Sequence, residues 1–176
     1  LMAYPYGHTG SREGAATPGH VSPWVKIQLG LLTPIEITQD GTYSARPSLT
    51  SRDIYKISAP YPDGEYLLIE NRPAIEWDAA LGGGGGIVIW SIDDNIAGNT
   101  ENGQEVVVLQ ADGKFDLENF NNLGDEGDFW ITGRELKPTG AVSTKSRRTG
   151  ASNGMRIFNF SPPGSEESFF TVENLA

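Results

Sequence analysis

The segment 112–128 contains the residues most suited to chemistry, because six of its residues are acidic. Glycine and asparagine separate them and allow tight turns that bring several oxygens around one point. Carboxylate oxygens are ligands that Ca²⁺ prefers, and a loop this negative repels itself until a cation neutralises it. The segment lacks the glycine and glutamate positions of an EF-hand loop. We predict a calcium loop with Asp112 and Asp116 among its ligands; the alternative is a solvated acidic loop with turns.

A second acidic cluster follows a predicted strand at 87–92. Asp93 and Asp94 precede Asn95, and the end of a strand can present carboxylates into a cleft, so this cluster is a second candidate for a cation. The short basic run 145–148 lies among serine, threonine and glycine. We interpret that run as a solvated loop.

Histidine and cysteine are nearly absent, which limits the metal chemistry that this chain can perform alone. The chain has no cysteine and two histidines, His8 and His20. Thiol catalysis, disulfides and thiolate metal sites are therefore excluded. Two histidines twelve residues apart cannot form the helical pair that binds zinc one turn apart. We assign neither histidine to a metal.

The charge balance indicates which partners suit this chain. It has 13 basic and 23 acidic residues, a net charge of −10. A field of this sign repels phosphate, so we expect neither nucleic acid nor an anionic membrane as a partner. No run approaches the roughly 18 apolar residues of a membrane span, and no signal peptide is visible. The chain opens on Leu1 in what resembles an already folded segment, so we expect the natural N-terminus to lie upstream.

The elements that must position these residues are mostly strands. Ser22 as N-cap, Pro23 at the first helical position and Gly30 as a stop predict a short helix over 22–29. Beyond Pro34, the apolar pattern changes to period two, and turn clusters at 39–41 and 62–64 favour antiparallel hairpins. The predicted fold class is α+β and β-rich, with a mostly antiparallel or mixed sheet and one or two short helices. Eight strands are predicted, at 35–38, 43–46, 54–58, 66–70, 87–92, 106–110, 155–160 and 169–172.

Several stretches resemble one known family in the same order along nearly the whole chain. The runs 66–70 and 87–92 are almost continuously apolar, as in central strands covered on both faces. Together with their neighbours, they resemble the immune inhibitor A family of secreted zinc metallopeptidases. The matching stretches are LMAY at 1–4, PGHVSPWVKIQLGLLTP at 18–34, EYLLIENR at 65–72, WDAAL at 77–81, IVIWSIDD at 87–94, and QADG and GDEGD within 110–128.

The resemblance implies a division of the chain and a set of site residues. It implies that 1–34 ends a peptidase catalytic core and that 35–176 is a β-rich C-terminal subdomain. Met2 and Tyr4 resemble the methionine turn beneath zinc, where the tyrosine can donate to a developing oxyanion. GDEGD resembles a calcium segment, which adds Asp125 and Asp128 as ligands. Ser91 departs from the family, which often carries histidine there.

The family's zinc is held by a helix with the pattern HExxH, and this chain lacks that pattern. We therefore expect the C-terminal portion of a secreted zinc metalloendopeptidase domain that is inactive alone, with Ca²⁺ bound and Zn²⁺ present only with the missing half. Its expected partners are the N-terminal half of the same domain and protein or peptide substrates. The alternatives are a degenerate, calcium-stabilised structural or binding module of an extracellular assembly, and an unrelated β-rich binding domain.

Overall fold

The computed structural model describes residues 19–100 and 103–175. Strands dominate this part of the chain, and its one α-helix is α1 (Pro23–Gln28). The β-rich α+β class predicted from the sequence is therefore confirmed. The strands are β1 (Ile35–Glu36), β2 (Gly41–Ala45), β3 (Tyr55–Ile57), β4 (Glu65–Pro73), β5 (Gly85–Asp93), β6 (Asn99–Thr100), β7 (Gly103–Gln104), β8 (Val106–Val108), β9 (Arg156–Phe158) and β10 (Ser168–Glu173).

The strands form a five-stranded sheet, a three-stranded sheet and a two-stranded hairpin. The five-stranded sheet has the order β1-β3-β4-β5-β8, and the three-stranded sheet has the order β2-β10-β9. Strands β6 and β7 form the hairpin. The pair β1–β3 is parallel and every other strand pair is antiparallel. Both sheets therefore combine strands that are distant in the sequence.

The centre of the larger sheet agrees with the sequence pattern. Strands β4 and β5 are nine residues long, and every residue in them is buried. The turn at 62–64 joins β3 to β4 as a hairpin, with Gly64 at a φ of 80° that favours glycine. The turn at 39–41 makes no hairpin, because β1 and β2 enter different sheets.

Apolar side chains pack on both faces of the five-stranded sheet. On one face, Leu67 and Ile89 belong to a cluster that includes Ile157, Phe170 and Val172 of the smaller sheet. On the other face, Leu68, Trp90 and Ile92 belong to a cluster against which Trp24 and Ile27 of α1 pack. Alternating side chains of β4 and β5 thus divide between two cores, as the period of a strand requires.

Helix α1 begins where the sequence predicts. The Ser22 side chain accepts a hydrogen bond from the Val25 N–H at 3.3 Å, and Pro23 occupies the first helical position. The chain leaves the helix through Gly30 at a φ of 68°. Lys26 lies on the buried side, and its Nζ donates to the Ser48 carbonyl at 3.0 Å. No helix in the described part of the chain is long and apolar enough to cross a membrane.

Candidate metal centre

Three of the four aspartates predicted as calcium ligands lie together. Asp112, Asp116 and Asp125 each place a carboxylate oxygen within 4.8 Å of the others, and each residue is half-buried. Twelve residues separate the first from the last, so the loop that follows β8 must fold back on itself to bring them together. Three carboxylates at this spacing can surround one hard cation, which would take its remaining oxygens from main-chain carbonyls and water.

Local hydrogen bonds fix the first two aspartates. The Asp112 Oδ1 accepts from the Lys114 N–H at 3.1 Å, which closes a tight turn. Gln110 is almost fully buried, and its Oε1 accepts from the Asp116 N–H at 2.9 Å. Asn121 then donates from Nδ2 to the Asp116 Oδ1 at 2.9 Å. A buried amide two residues after β8 therefore anchors the start of the loop.

Asp125 is fixed by the turn that it begins. It is the N-cap of a short 3₁₀ turn (Glu126–Asp128), and its Oδ1 accepts from the Gly127 N–H at 2.6 Å. Its Oδ2 accepts from the Asn122 Nδ2 at 2.9 Å. These two bonds hold the carboxylate in one orientation, and such preorganisation lowers the entropic cost of binding a cation.

Gly127 allows two of the carboxylates to approach closely. A Cβ at this position would lie 2.4 Å from the Asp112 Oδ2 and 2.7 Å from the Asp125 Oδ1. Any other residue would push one or both carboxylates away. The space beside Gly127 is therefore a cradle that fits a small, positively charged group.

Asp128 lies beside the cluster in a different role. Its Oδ2 accepts from the Asp125 N–H at 2.9 Å and completes a reciprocal capping box. The side chain is almost fully buried. Burial, together with the neighbouring charges of Asp125, Asp112 and Asp116, raises the pKa of Asp128 to about 6, although the bond from the Asp125 N–H opposes the shift. Asp128 positions Asp125 in this structure.

A lysine already balances part of the negative charge. The Lys114 Nζ lies 3.0 Å from the Asp112 Oδ2, and the lysine is largely exposed. Burial opposes ionisation of Asp112, yet the bonds from Lys114 hold the pKa of that carboxyl below its usual value. A divalent cation entering the cluster would compete with this ammonium group.

In the other acidic cluster, an arginine neutralises Asp93. Its carboxylate pairs with the Arg148 guanidinium, and Asp93 is almost fully buried. Asp94 instead accepts from the Tyr66 hydroxyl at 3.2 Å. Asp93 could bind a cation only by giving up this arginine, and a cation role of Asp94 stays a prediction.

The basic run 145–148 is solvated only in part, because Arg147 and Arg148 are exposed while Ser146 is buried. The Arg147 Nε donates to the Ser91 Oγ at 2.8 Å, and its Nη1 donates to the Gln104 carbonyl at 2.9 Å. The Ser146 hydroxyl donates to the Glu65 Oε2 at 2.6 Å. These contacts fasten the run to the ends of β4 and β5. The prediction of a solvated loop did not include these contacts, because a run of charges contains no information about distant partners.

A buried ionic network is the main feature that the sequence did not predict. Arg72 makes two bonds to the Asp78 carboxylate, at 3.0 and 2.6 Å, and both residues are almost fully buried. Glu70 accepts from the Trp90 Nε1 at 3.0 Å, and its Oε1 lies 3.8 Å from the Arg72 Nη1. The His20 N–H donates to Asp78, and its carbonyl accepts from Arg72. The sequence contains a signal for this network, because the charged residues Glu70 and Arg72 follow the apolar residues 66–69 of a predicted central strand.

Met2, Tyr4 and His8 lie outside the described residues.

Searches with protein-family models, of curated proteins and of solved structures each found no match to this chain.

Proposed function

We propose that this chain is the C-terminal part of a secreted zinc metalloendopeptidase domain resembling immune inhibitor A, and that it contributes a calcium-stabilised β-rich unit. The observation that carries the proposal is the convergence of Asp112, Asp116 and Asp125 in the loop where the resemblance implies calcium. The cradle at Gly127 supports it, because a bound cation needs both adjacent carboxylates at close range. Zinc and the catalytic base would come from an upstream half.

Calcium binding is tested by titrating the metal-free chain with CaCl₂ in a calorimeter. We expect binding, and a thermal midpoint that rises with calcium by mass action. The triple variant Asp112→Asn, Asp116→Asn, Asp125→Asn should bind none. A charge-matched control replaces three exposed acids outside the loop, Asp63→Asn, Glu166→Gln and Glu167→Gln, and should bind as the parent does. Equal binding by both variants would reject the site.

Peptidase function is tested on the natural precursor, expressed with whatever segment precedes Leu1. We expect that precursor to contain HExxH, to bind zinc and to cleave a casein substrate until a zinc chelator is added. The present chain alone should not cleave casein. Cleavage by the chain alone, unaffected by the chelator, would contradict the proposal that zinc and the catalytic base come from an upstream half.

The second candidate is a degenerate, calcium-stabilised binding module of an extracellular assembly, and one contact favours it. Ser91 occupies the position where the resembled family often carries histidine, and its hydroxyl accepts a hydrogen bond from Arg147. This serine therefore serves to hold a loop. A precursor in which HExxH is replaced, with calcium binding intact, would favour this candidate over the first.

A further inference from the structure

Several buried polar atoms of the ionic network around Arg72 form no hydrogen bond with the protein. Within the described part of the chain, four buried side-chain atoms have no bonding partner: His20 Nδ1, Ser48 Oγ, Glu70 Oε2 and Arg72 Nη1. Ser48, Glu70 and Arg72 are 3%, 0% and 1% exposed, so bulk solvent does not reach them. Burying a polar group without a hydrogen bond is costly, and folded proteins satisfy nearly all such groups.

Main-chain contacts place these residues beside one segment of β4. Glu70 and Arg72 are two residues apart on the strand, so their side chains lie on the same face of the sheet. The Ser48 N–H donates to the carbonyl of Asn71, the residue between them, at 2.9 Å. The Arg72 Nη2 donates to the His20 carbonyl at 3.0 Å. The unpaired atoms therefore belong to neighbouring residues, which indicates a shared partner.

The distance between Glu70 and Arg72 fits a bridging molecule better than a direct bond. The Glu70 Oε1 lies 3.8 Å from the Arg72 Nη1, too far for a hydrogen bond, and it already accepts from the Trp90 Nε1. The Glu70 Oε2 is an acceptor and the Arg72 Nη1 is a donor. A water molecule can accept from one group and donate to the other, and it commonly bridges polar groups at such separations.

The charge of the network favours a neutral ligand over an ion. The network contains two cations, Lys26 and Arg72. Its two anions are Glu70 and Asp78, and all four residues are buried. An added metal ion would be repelled by the two cations, and an added anion by the two carboxylates, at a site with little solvent to screen them. A neutral molecule that both donates and accepts hydrogen bonds leaves this balance intact.

We propose that a buried water molecule binds between Glu70 and Arg72, accepting from the Arg72 Nη1 and donating to the Glu70 Oε2. The Ser48 hydroxyl is its third partner, and three bonds are typical of buried water. Lys26 on α1 donates from Nζ to the Ser48 carbonyl at 3.0 Å, so the water completes a polar junction between α1 and the larger sheet. This site needs neither zinc nor calcium and is independent of the function proposed above.

A high-resolution crystal structure of the chain tests the site directly. We expect electron density for a water molecule within hydrogen-bonding distance of both the Glu70 Oε2 and the Arg72 Nη1. Density for a metal ion or a buffer anion at this place would overturn the proposal. A direct bond between these two atoms, or a site without any density, would overturn it as well.

Ser48→Ala tests the same site in solution, because the two possibilities predict opposite signs. If the hydroxyl bonds to water, its removal should raise the unfolding equilibrium constant about fivefold, the effect of one hydrogen bond. If the hydroxyl has no partner, removing it should leave that constant unchanged or lower it. Urea unfolding in a calcium chelator measures the constant, which keeps the result separate from the metal site.

The reference for this measurement is Ser168→Ala. The Ser168 hydroxyl is also buried, and it donates to the Asn71 Oδ1 at 3.1 Å. Its removal should therefore raise the unfolding equilibrium constant, which shows the effect of losing a known bond in the same region. An effect of the same sign in Ser48→Ala would support the water site. A Ser48→Ala variant as stable as the parent, beside a destabilised Ser168→Ala, would overturn it.

Discussion

At the scale of single residues, Gly127 decides how closely the carboxylates approach each other. Gly127→Ala places a methyl group against Asp112 and Asp125, and the atoms that it contacts belong to side chains rather than to the backbone. We expect calcium affinity to fall at least about tenfold, the equivalent of ~1.4 kcal/mol, while stability in a chelator changes little. Calorimetric titration and urea unfolding measure the two effects.

The matched control for Gly127→Ala is Gly41→Ala, because a Cβ at Gly41 would make only ordinary contacts of 3.7 Å with Tyr43. This control should bind calcium as the parent does. Unchanged affinity in Gly127→Ala would show that Asp112 and Asp125 do not share one ion.

Lys114 is the second residue with a testable effect on the cluster. Lys114→Gln removes the ammonium group that lies 3.0 Å from Asp112. Because a divalent cation no longer has to displace that group, we expect calcium to bind several-fold more tightly, most clearly at low salt. Calorimetry at low and moderate ionic strength measures this. Lys137→Gln, a similarly exposed lysine near Glu135, is the control and should leave affinity unchanged; weaker binding in Lys114→Gln would contradict the assignment.

The residue types of the candidate site could be predicted from the sequence, but the role of each residue could not. Acidic residues spaced by glycine and asparagine indicated a cation loop, and the structure brings three of the four named aspartates together. The capping role of Asp128 was not predictable, because it depends on the backbone conformation of the turn and on burial by distant segments. The calcium role of all four aspartates remains a prediction.

At the scale of elements, the N-cap of α1 has a measurable contribution. Ser22→Ala removes the acceptor for the Val25 N–H, so we expect the free energy of unfolding to fall by about 1 kcal/mol. Urea unfolding followed by circular dichroism measures the change. Thr139→Ala at an exposed site is the control and should shift stability by less than about 0.5 kcal/mol. An equal effect in both variants would show that the cap contributes nothing.

The sequence predicted which segments are strands but not which strands pair. All eight predicted segments contain a strand, since period-two patterns report local burial. The antiparallel pairing of β2 with β10 and the parallel pairing of β1 with β3 were not predicted. Such pairings depend on packing between distant segments, and a local pattern contains no information about them. The short hairpin of β6 and β7 was missed because its four strand residues, Asn99, Thr100, Gly103 and Gln104, include no apolar side chain.

At the scale of the whole molecule, the buried ionic network makes stability depend on pH through His20. Burial, and then the charges of Lys26 and Arg72, lower the pKa of His20 to about 4, against an opposing effect of Asp78. The unfolded imidazole has a pKa near 6.5. Between these values the unfolded chain binds the additional proton, so the free energy of unfolding falls as the pH falls from about 6.5 to about 4.

His20→Gln should remove this part of the acid sensitivity. We expect the difference in unfolding free energy between parent and variant to change over that pH range and to be constant above about pH 7. Urea unfolding at several pH values measures it, and comparing the two proteins cancels the carboxylates that titrate in both. A difference that does not vary with pH would show that His20 titrates normally.

The pairing of β2 with β10 also sets an order of events during synthesis. All strands of the five-stranded sheet have been synthesised once Val108 has emerged. Strand β2, in contrast, pairs with β10, and residues 46–167 lie between the two strands. At typical elongation rates, those roughly 120 residues take about 6 to 24 s to make. A ribosome that pauses after Val108 has emerged and before β10 is made would carry a finished larger sheet beside an unpaired β2, with the apolar face that Phe170 later covers open to chaperones.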